Sequence, residues 1–367
     1  MNGHELTRMS SSAMTRREML GLVAGAAPLL AAAPSLLGAE DRKRKRLGVC
    51  TYSYNLHWKA AREGNPKARF QNPIEFLEYC HQLGAGGVQV GIGRRDADYA
   101  TRLRTRAEAL GMYLEGELSL PKQESEVARF DSEIHAAKEA GAEVVRTAML
   151  GGRRYETFDS AQAIGQFAGQ SWKSLTLAEP VARKHRIKLA VENHKDWRVP
   201  ELADILKRIS SEYVGLCVDT GNNIALLEDP MEVVEALAPF AFSTHLKDMA
   251  VQEYEEGFLL SEVPLGDGFL DLKKMVAVLQ EANPKIQFNL EMITRDPLKI
   301  PCLTPKYWAT MKAVPARELA TTLALVRRKA AKQPLPHTSG LDAEQQLALE
   351  DKNVRASFAH ARQHLGL

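Results

Sequence analysis

The sequence predicts an α/β protein, a single-domain (β/α)8 TIM barrel with a C-terminal helical extension. Three observations predict it. From residue 47 onward, short apolar runs alternate with longer amphipathic stretches, the signature of repeated βα units around a parallel sheet. The runs number eight within about 250 residues, the usual extent of a closed barrel, whereas open doubly wound sheets generally have fewer strands. Glycines fall where helices must give way to strands.

Candidate strands cover residues 47–53, 87–91, 113–118, 144–148, 188–192, 215–219, 241–246 and 287–292. Candidate helices cover 73–83, 97–110, 124–140, 161–185, 200–209, 230–237 and 270–281, where apolar residues recur at helical spacing. Gly84, Gly111 and Gly141 follow three of these helices, at the position where a left-handed residue commonly ends one. The segment from Pro264 to Asp271 is a glycine-bearing tight turn, with Asp271 as a helix N-cap. After the eighth strand a Pro-containing loop spans 295–308, and a helical stretch over 317–332 is expected to complete the ring. The barrel therefore occupies 46–332, and 333–367 is a linker followed by one or two further helices.

The first 39 residues stand apart. Thr15-Arg16-Arg17-Glu18-Met19-Leu20 precede an Ala-rich apolar run that ends at Leu37-Gly38-Ala39, a small-residue cleavage site. This order predicts a twin-arginine signal peptide over 1–39 and a periplasmic destination. The run is short for a membrane span, so no stable span is expected after processing.

Charge and cysteine content narrow the function classes. The 48 Lys and Arg against 46 Asp and Glu leave a net charge of +2, too little to attract a nucleic acid backbone. The four cysteines show no metal-ligand spacing and read as buried thiols.

In a barrel, the C-terminal ends of the strands converge on one mouth. Four apolar strands here end in metal-capable groups: Leu189-Ala190-Val191 leads into Glu192, Leu216-Cys217-Val218 into Asp219, Phe242-Ser243-Thr244 into His245, and Phe288-Asn289-Leu290 into Glu291. The first three are each about one βα unit apart, and an insertion separates the last two. Any one of them has a bland explanation as a helix cap or ion-pair member. Together, three carboxylates and an imidazole would repel unless a cation or protons neutralised them, which favours one divalent metal ion: Mn²⁺, Mg²⁺ or Co²⁺ first, Zn²⁺ after them.

Val191-Glu192-Asn193-His194, Val218-Asp219-Thr220-Gly221-Asn222, Thr244-His245-Leu246-Lys247-Asp248 and Leu290-Glu291 resemble motifs of the xylose-isomerase-like sugar phosphate isomerase/epimerase superfamily. The resemblance covers roughly residues 47–294, and its motifs are specific in combination. It implies a (β/α)8 barrel with Glu192, Asp219, His245 and Glu291 as metal ligands. It also implies a small-molecule carbohydrate substrate, an enediolate formed by proton abstraction next to a carbonyl, and Glu192 and Glu291 as catalytic acid and base. Members often assemble as homo-oligomers. The chain departs from the ketose 3-epimerase pattern at two sugar-contacting positions: Asn222 stands where a His is usual, and Val251 where an Arg is usual.

Further substrate-binding candidates are His57 and Trp58 past the first strand, Arg146 near the fourth, His194 and Lys195 beyond Glu192, Asn222, Lys247 two positions past His245, and Arg295 after the eighth strand. Lys247 is placed to stabilise an oxyanion, with a solvated loop lysine as the alternative. Three other functions remain in view. The same site can serve a lyase or hydrolase of 3-keto-glycosides, since the enolate can expel a substituent instead of taking a proton, and export favours this. A DNA-repair endonuclease on a related barrel would need further histidines that strands two and three lack. A non-catalytic sugar-binding barrel is disfavoured by retention of both glutamates.

Overall fold

In the computed structural model, residues 46–311 and 314–367 are described, and the segment read as an export signal lies outside them. Eleven strands follow in chain order: β1 (Gly48–Cys50), β2 (Gly87–Val90), β3 (Tyr113–Glu117), β4 (Val144–Thr147), β5 (Lys188–Glu192), β6 (Val214–Asp219), β7 (Ala241–Leu246), β8 (Asp248–Tyr254), β9 (Gly257–Val263), β10 (Phe288–Leu290) and β11 (Leu298–Ile300). The eight expected strands form a closed parallel barrel in which β10 completes the ring between β7 and β1. Their near-continuous apolar runs are buried on both faces, as helices cover the outside and side chains fill the inside.

The expected helices form at Pro73–Gln82, Ala97–Leu110, Val127–Glu139, Ala161–His185, Val199–Ile209, Pro230–Leu237 and Leu272–Ala282. Asn72, Asp96, Ser160, Asp229 and Asp271 each accept backbone N–H groups as N-caps, a contribution of about 0.5–2 kcal/mol apiece. Gly84, Gly111 and Gly141 take φ of +81°, +62° and +91°, as their positions after helices predict. All four cysteines are free and buried.

The barrel interior carries a polar layer. Glu115 of β3 accepts from Gln89 of β2 (2.9 Å), Ser243 of β7 (2.6 Å) and Asn289 of β10 (2.9 Å), all of them buried. At one end Tyr113 reaches across to Phe288 O and Asn289 Oδ1 at 3.0 Å. This needs glycine at position 48, where a Cβ would lie 2.0 Å from the Tyr113 hydroxyl.

Two expectations are corrected. The segment 295–308, expected to be a loop, contains β11, which adds to β9, and β9 pairs with β8 in an antiparallel hairpin that forms the insertion after β7. The helix Ala316–Lys329 does not complete the ring. It packs on this small sheet, where Val326 joins Val251, Phe258 and Leu260 in a separate apolar cluster, and Val251 pairs with Ala330. The C-terminal helix Ala343–His360 packs against the barrel instead, sending Val354 and Phe358 into the main core. Its buried Glu350 accepts from the N–H groups of Leu56 (2.8 Å) and His57 (3.0 Å), which fixes the chain just past β1. Among the described residues no helix is long and apolar enough to cross a membrane.

Candidate metal centre

Strand register brings the four strand-end groups together. Asp219 pairs with His245 across β6 and β7, and Leu290, the residue before Glu291, pairs with Leu246 across β10 and β7. Glu192, Asp219, His245 and Glu291 each place one ligand atom within 4.8 Å of the others, all in buried side chains. His245 Nδ1 lies 3.5 Å from Glu192, 3.9 Å from Asp219 and 3.3 Å from Glu291. On its other side, His245 Nε2 lies 2.6 Å from Gln89 Oε1.

Each carboxylate is oriented by further contacts. Arg146 grips Glu192 through Nε (2.7 Å) and Nη2, and Glu117 through Nη1 (3.1 Å). Glu192 Oε1 accepts from Asn222 Nδ2 at 3.0 Å. Asp219 Oδ1 accepts from the N–H groups of Gly221 and Asn222, both at 2.8 Å. Lys247 contacts Glu291 and lies 2.9 Å from Asp219 Oδ2. Asp219 Oδ2 and His245 Nδ1 nevertheless have no hydrogen-bond partner.

Electrostatics separate the three acids. Burial opposes ionisation of Glu192, but Arg146 and His245 outweigh it and hold the carboxyl well below the usual range. Burial acts likewise on Glu291, where Lys247 and His245 win. Asp219 goes the other way: burial, with Glu291 and Glu192 beside it, pushes it up to about 6 against the pull of Lys247. A buried ligand nitrogen with no hydrogen-bond partner and an acid that its one lysine does not fully compensate are what a site built for one more cation presents. The oxygen-rich donor set with a single imidazole fits a hard divalent ion.

Two cavities open beside the cluster. One, of about 470 Å³, is lined by Tyr52, Arg146, His194, Lys195, Glu291 and Arg295 among others. A neighbouring one, of about 720 Å³, shares Tyr52 and Arg146 and is lined by Trp58, Met149 and Phe167. Of the residues expected to bind substrate, Arg146, His194, Lys195 and Arg295 thus meet Glu291 in one cavity, and Trp58 lies in the next. Asn222 and Lys247 are buried beneath, against the carboxylates. Asn222 Oδ1 accepts from Lys195 and, at 3.2 Å, from Lys247.

His57 is elsewhere. It is enclosed between Glu350 (3.6 Å) and Asp351 (3.8 Å) of the C-terminal helix and lines neither cavity, so the expected sugar wall at His57 gives way to an anchor for that helix.

The family model described as a xylose isomerase-like TIM barrel matches residues 77–311. The chain belongs to this xylose isomerase-like family. Among curated proteins it is similar to a 3-oxo-isoapionate decarboxylase of Pectobacterium atrosepticum, 29% identical over 241 residues, which is 61% of this chain and 77% of that protein. Among solved structures the xylose isomerase-like barrel is similar to a D-psicose 3-epimerase crystallised with D-fructose, with a TM-score of 0.56 and 14% identity over 88% of this chain and 100% of that one. It is also similar to a 3-keto-D-glucoside 4-epimerase of E. coli, with a TM-score of 0.51 and 13% identity over 78% and 100%. At such identities the structural likeness establishes the fold alone.

Sequence reasoning missed Gln89, Glu115, Glu117 and Glu262. The first two had a signal: a polar residue interrupting a strand otherwise apolar enough to be buried on both faces, as in Val88-Gln89-Val90. Glu262 had none, because it is delivered by the unforeseen β8–β9 hairpin. It accepts from Arg295 Nε at 3.1 Å and lies 3.9 Å from Lys247. Against the effect of burial, Arg295, Lys195 and Lys247 hold its carboxyl down at about 2. Position 251, where an epimerase arginine was looked for, points into the apolar cluster of that hairpin.

Proposed function

We propose that the chain is a divalent-metal-dependent enzyme of keto sugars, with isomerisation or epimerisation as its reaction and Glu192 and Glu291 as proton carriers. The observation that carries this reading is the buried His245 Nδ1, which has no hydrogen-bond partner, in one cluster with Asp219 and those two glutamates. An ion held by Glu192, Asp219, His245 and Glu291 would supply the positive charge that stabilises an enediolate.

The chain's own residues account for the proton steps. Glu192 is kept ionised by Arg146, and Glu291 by Lys247, so each is ready to take a proton from the carbon beside a carbonyl. In epimerisation one glutamate removes that proton, and the enediolate takes one on the opposite face from the other glutamate, which must first acquire it from solvent. Arg146, His194, Lys195 and Arg295 line the cavity next to Glu291 and would orient the substrate, with Trp58 flanking it. Burial holds His194 down at about 3, leaving a neutral imidazole for hydrogen bonding.

A second reading has specific support in the similarity to 3-oxo-isoapionate decarboxylase. In a 3-oxo acid, breaking the bond to the carboxylate leaves its electron pair as an enolate and releases CO₂. A proton from an acidic group then completes the product. Elimination from a 3-keto-glycoside passes through the same enolate. The test is NMR of metal-loaded protein in D₂O with free ketoses, 3-keto-glycosides and 3-oxo sugar acids. An epimer with deuterium next to the carbonyl supports the first reading, and CO₂ or a released substituent moves the protein to the second. Export by the twin-arginine route is part of the proposal, and a mature N-terminus just after Ala39 in the periplasmic fraction is its expected signature.

A further inference from the structure

We propose that Lys195 is a docking group for a carboxylate, so that the substrate is an acidic keto sugar rather than a neutral one. This rests on the reading of the cavity beside Glu291 as the active centre.

Lys195 is only 2% exposed, yet it is the cation of the site that lacks a counter-charge. Arg146 is matched by Glu192 and Glu117, Lys247 by Asp219 and Glu291, and Arg295 by Glu262. Among the described residues, no carboxylate oxygen lies within 4.0 Å of the Lys195 ammonium. Its hydrogen-bond acceptor is the neutral Asn222 Oδ1, which Lys247 shares. Asp219 and Glu262 act on it from farther off, and both are already engaged by other cations. An ammonium taken out of water without an anion is costly: burial and the neighbouring Lys247 push the Lys195 amine down to about 8, and a carboxylate ligand would supply the charge it lacks.

The cavity agrees. Its wall carries four cations, Arg146, Arg153, Lys195 and Arg295, and Glu291 as its one carboxylate. Arg153 is occupied by Glu156 and the other two arginines are paired as above, so Lys195 is the cation of this wall with no carboxylate within ion-pair distance. One unpaired ammonium matches a singly charged carboxylate. A phosphate dianion would remain half compensated. Neighbours fix the lysine in place: its carbonyl accepts from Arg154 N at 2.8 Å, and Asn222 holds its head while also holding Glu192. The carboxylate would thus be tied by one amide to the same frame as the proton-transferring acid.

The test is calorimetric binding of matched, unreactive sugars to the Mg²⁺-loaded full chain: D-gluconate against D-glucitol, D-glucuronate against D-glucose, and D-glucose 6-phosphate for the phosphate arm. The expected result is at least tenfold tighter binding of each acid than of its neutral partner, with the phosphate below the carboxylates. Lys195→Met should erase the acid preference, read as the ratio of acid to neutral-sugar affinity, and Lys195→Arg should restore part of it. Equal binding of acid and neutral partners by the unaltered protein overturns the proposal without any variant, as does preference for the phosphate. If acid preference is absent but deuterium exchange at keto sugars persists, carboxylate docking falls and the active-centre reading stands. Loss of both overturns both.

Discussion

His245 Nε2 lies 2.6 Å from the side-chain oxygen of Gln89. An amide oxygen accepts only, so the imidazole donates there through Nε2 and turns Nδ1 towards Glu192, Asp219 and Glu291, where a metal ion would take the place of the Nδ1 proton. Gln89 is itself held by Glu115, which also gathers Ser243 and Asn289. The polar layer inside the barrel is therefore a support for one ring orientation. Replacing Gln89 by Leu removes the acceptor and frees the tautomer. We expect affinity for Mn²⁺ to fall about 10- to 100-fold, read by calorimetric titration, with the barrel intact by circular dichroism.

Glu192→Gln and Glu291→Gln each remove one proton carrier while keeping size and most hydrogen bonds. Turnover should drop by about 10²- to 10⁴-fold in either variant, measured by NMR on whichever keto sugar the unaltered protein converts. Full activity in both would remove the acid and base assignment.

Bound metal should stabilise the fold, since the cluster in its absence buries three carboxylates against Arg146 and Lys247. At a free ion concentration 100 times Kd the gain is about 2.7 kcal/mol. Thermal melting with Mg²⁺ and after chelation checks it, and the expected outcome is a higher Tm with the ion.

Glu350 gives the fold a pH dependence away from the site. Burial pushes its carboxyl up to about 8, against the pull of the Leu56 and His57 N–H groups. The folded state thus prefers the protonated acid. This contribution to stability is full below the ordinary glutamate value of 4.5 and is lost as pH rises through about 8. Glu350→Gln should flatten the fall in Tm between about pH 5 and pH 9. It should also lower Tm by a roughly constant amount, because an amide has one oxygen for two N–H donors. An unchanged slope in the variant would assign the pH dependence to other groups.

The barrel was legible because its signals are local and repeated. Eight apolar runs, helical periods and glycine stops each follow from burial and backbone geometry at nearby positions. The four clustered groups were legible for a related reason, since the end of a parallel strand is a position sequence can mark. What escaped depends on tertiary placement. The residues of the β8–β9 hairpin are largely buried, so it lacked the alternation that marks a half-exposed strand, and Glu262 went unseen with it. His57 looked like a mouth residue until Glu350 and Asp351, nearly three hundred positions away, enclosed it. Asn222 looked like a substituted sugar contact, yet it joins Lys195, Lys247 and Glu192 from below.

The central claim is that these four residues form a metal site whose glutamates move a proton next to a carbonyl. Its most direct test is deuterium incorporation from D₂O at that carbon, followed by NMR with the protein metal-loaded and then chelated. The account predicts exchange in the loaded protein, its loss on chelation and its return when Mn²⁺ or Mg²⁺ is restored. Exchange that persists unchanged after chelation, or that never occurs with any keto sugar, would contradict it.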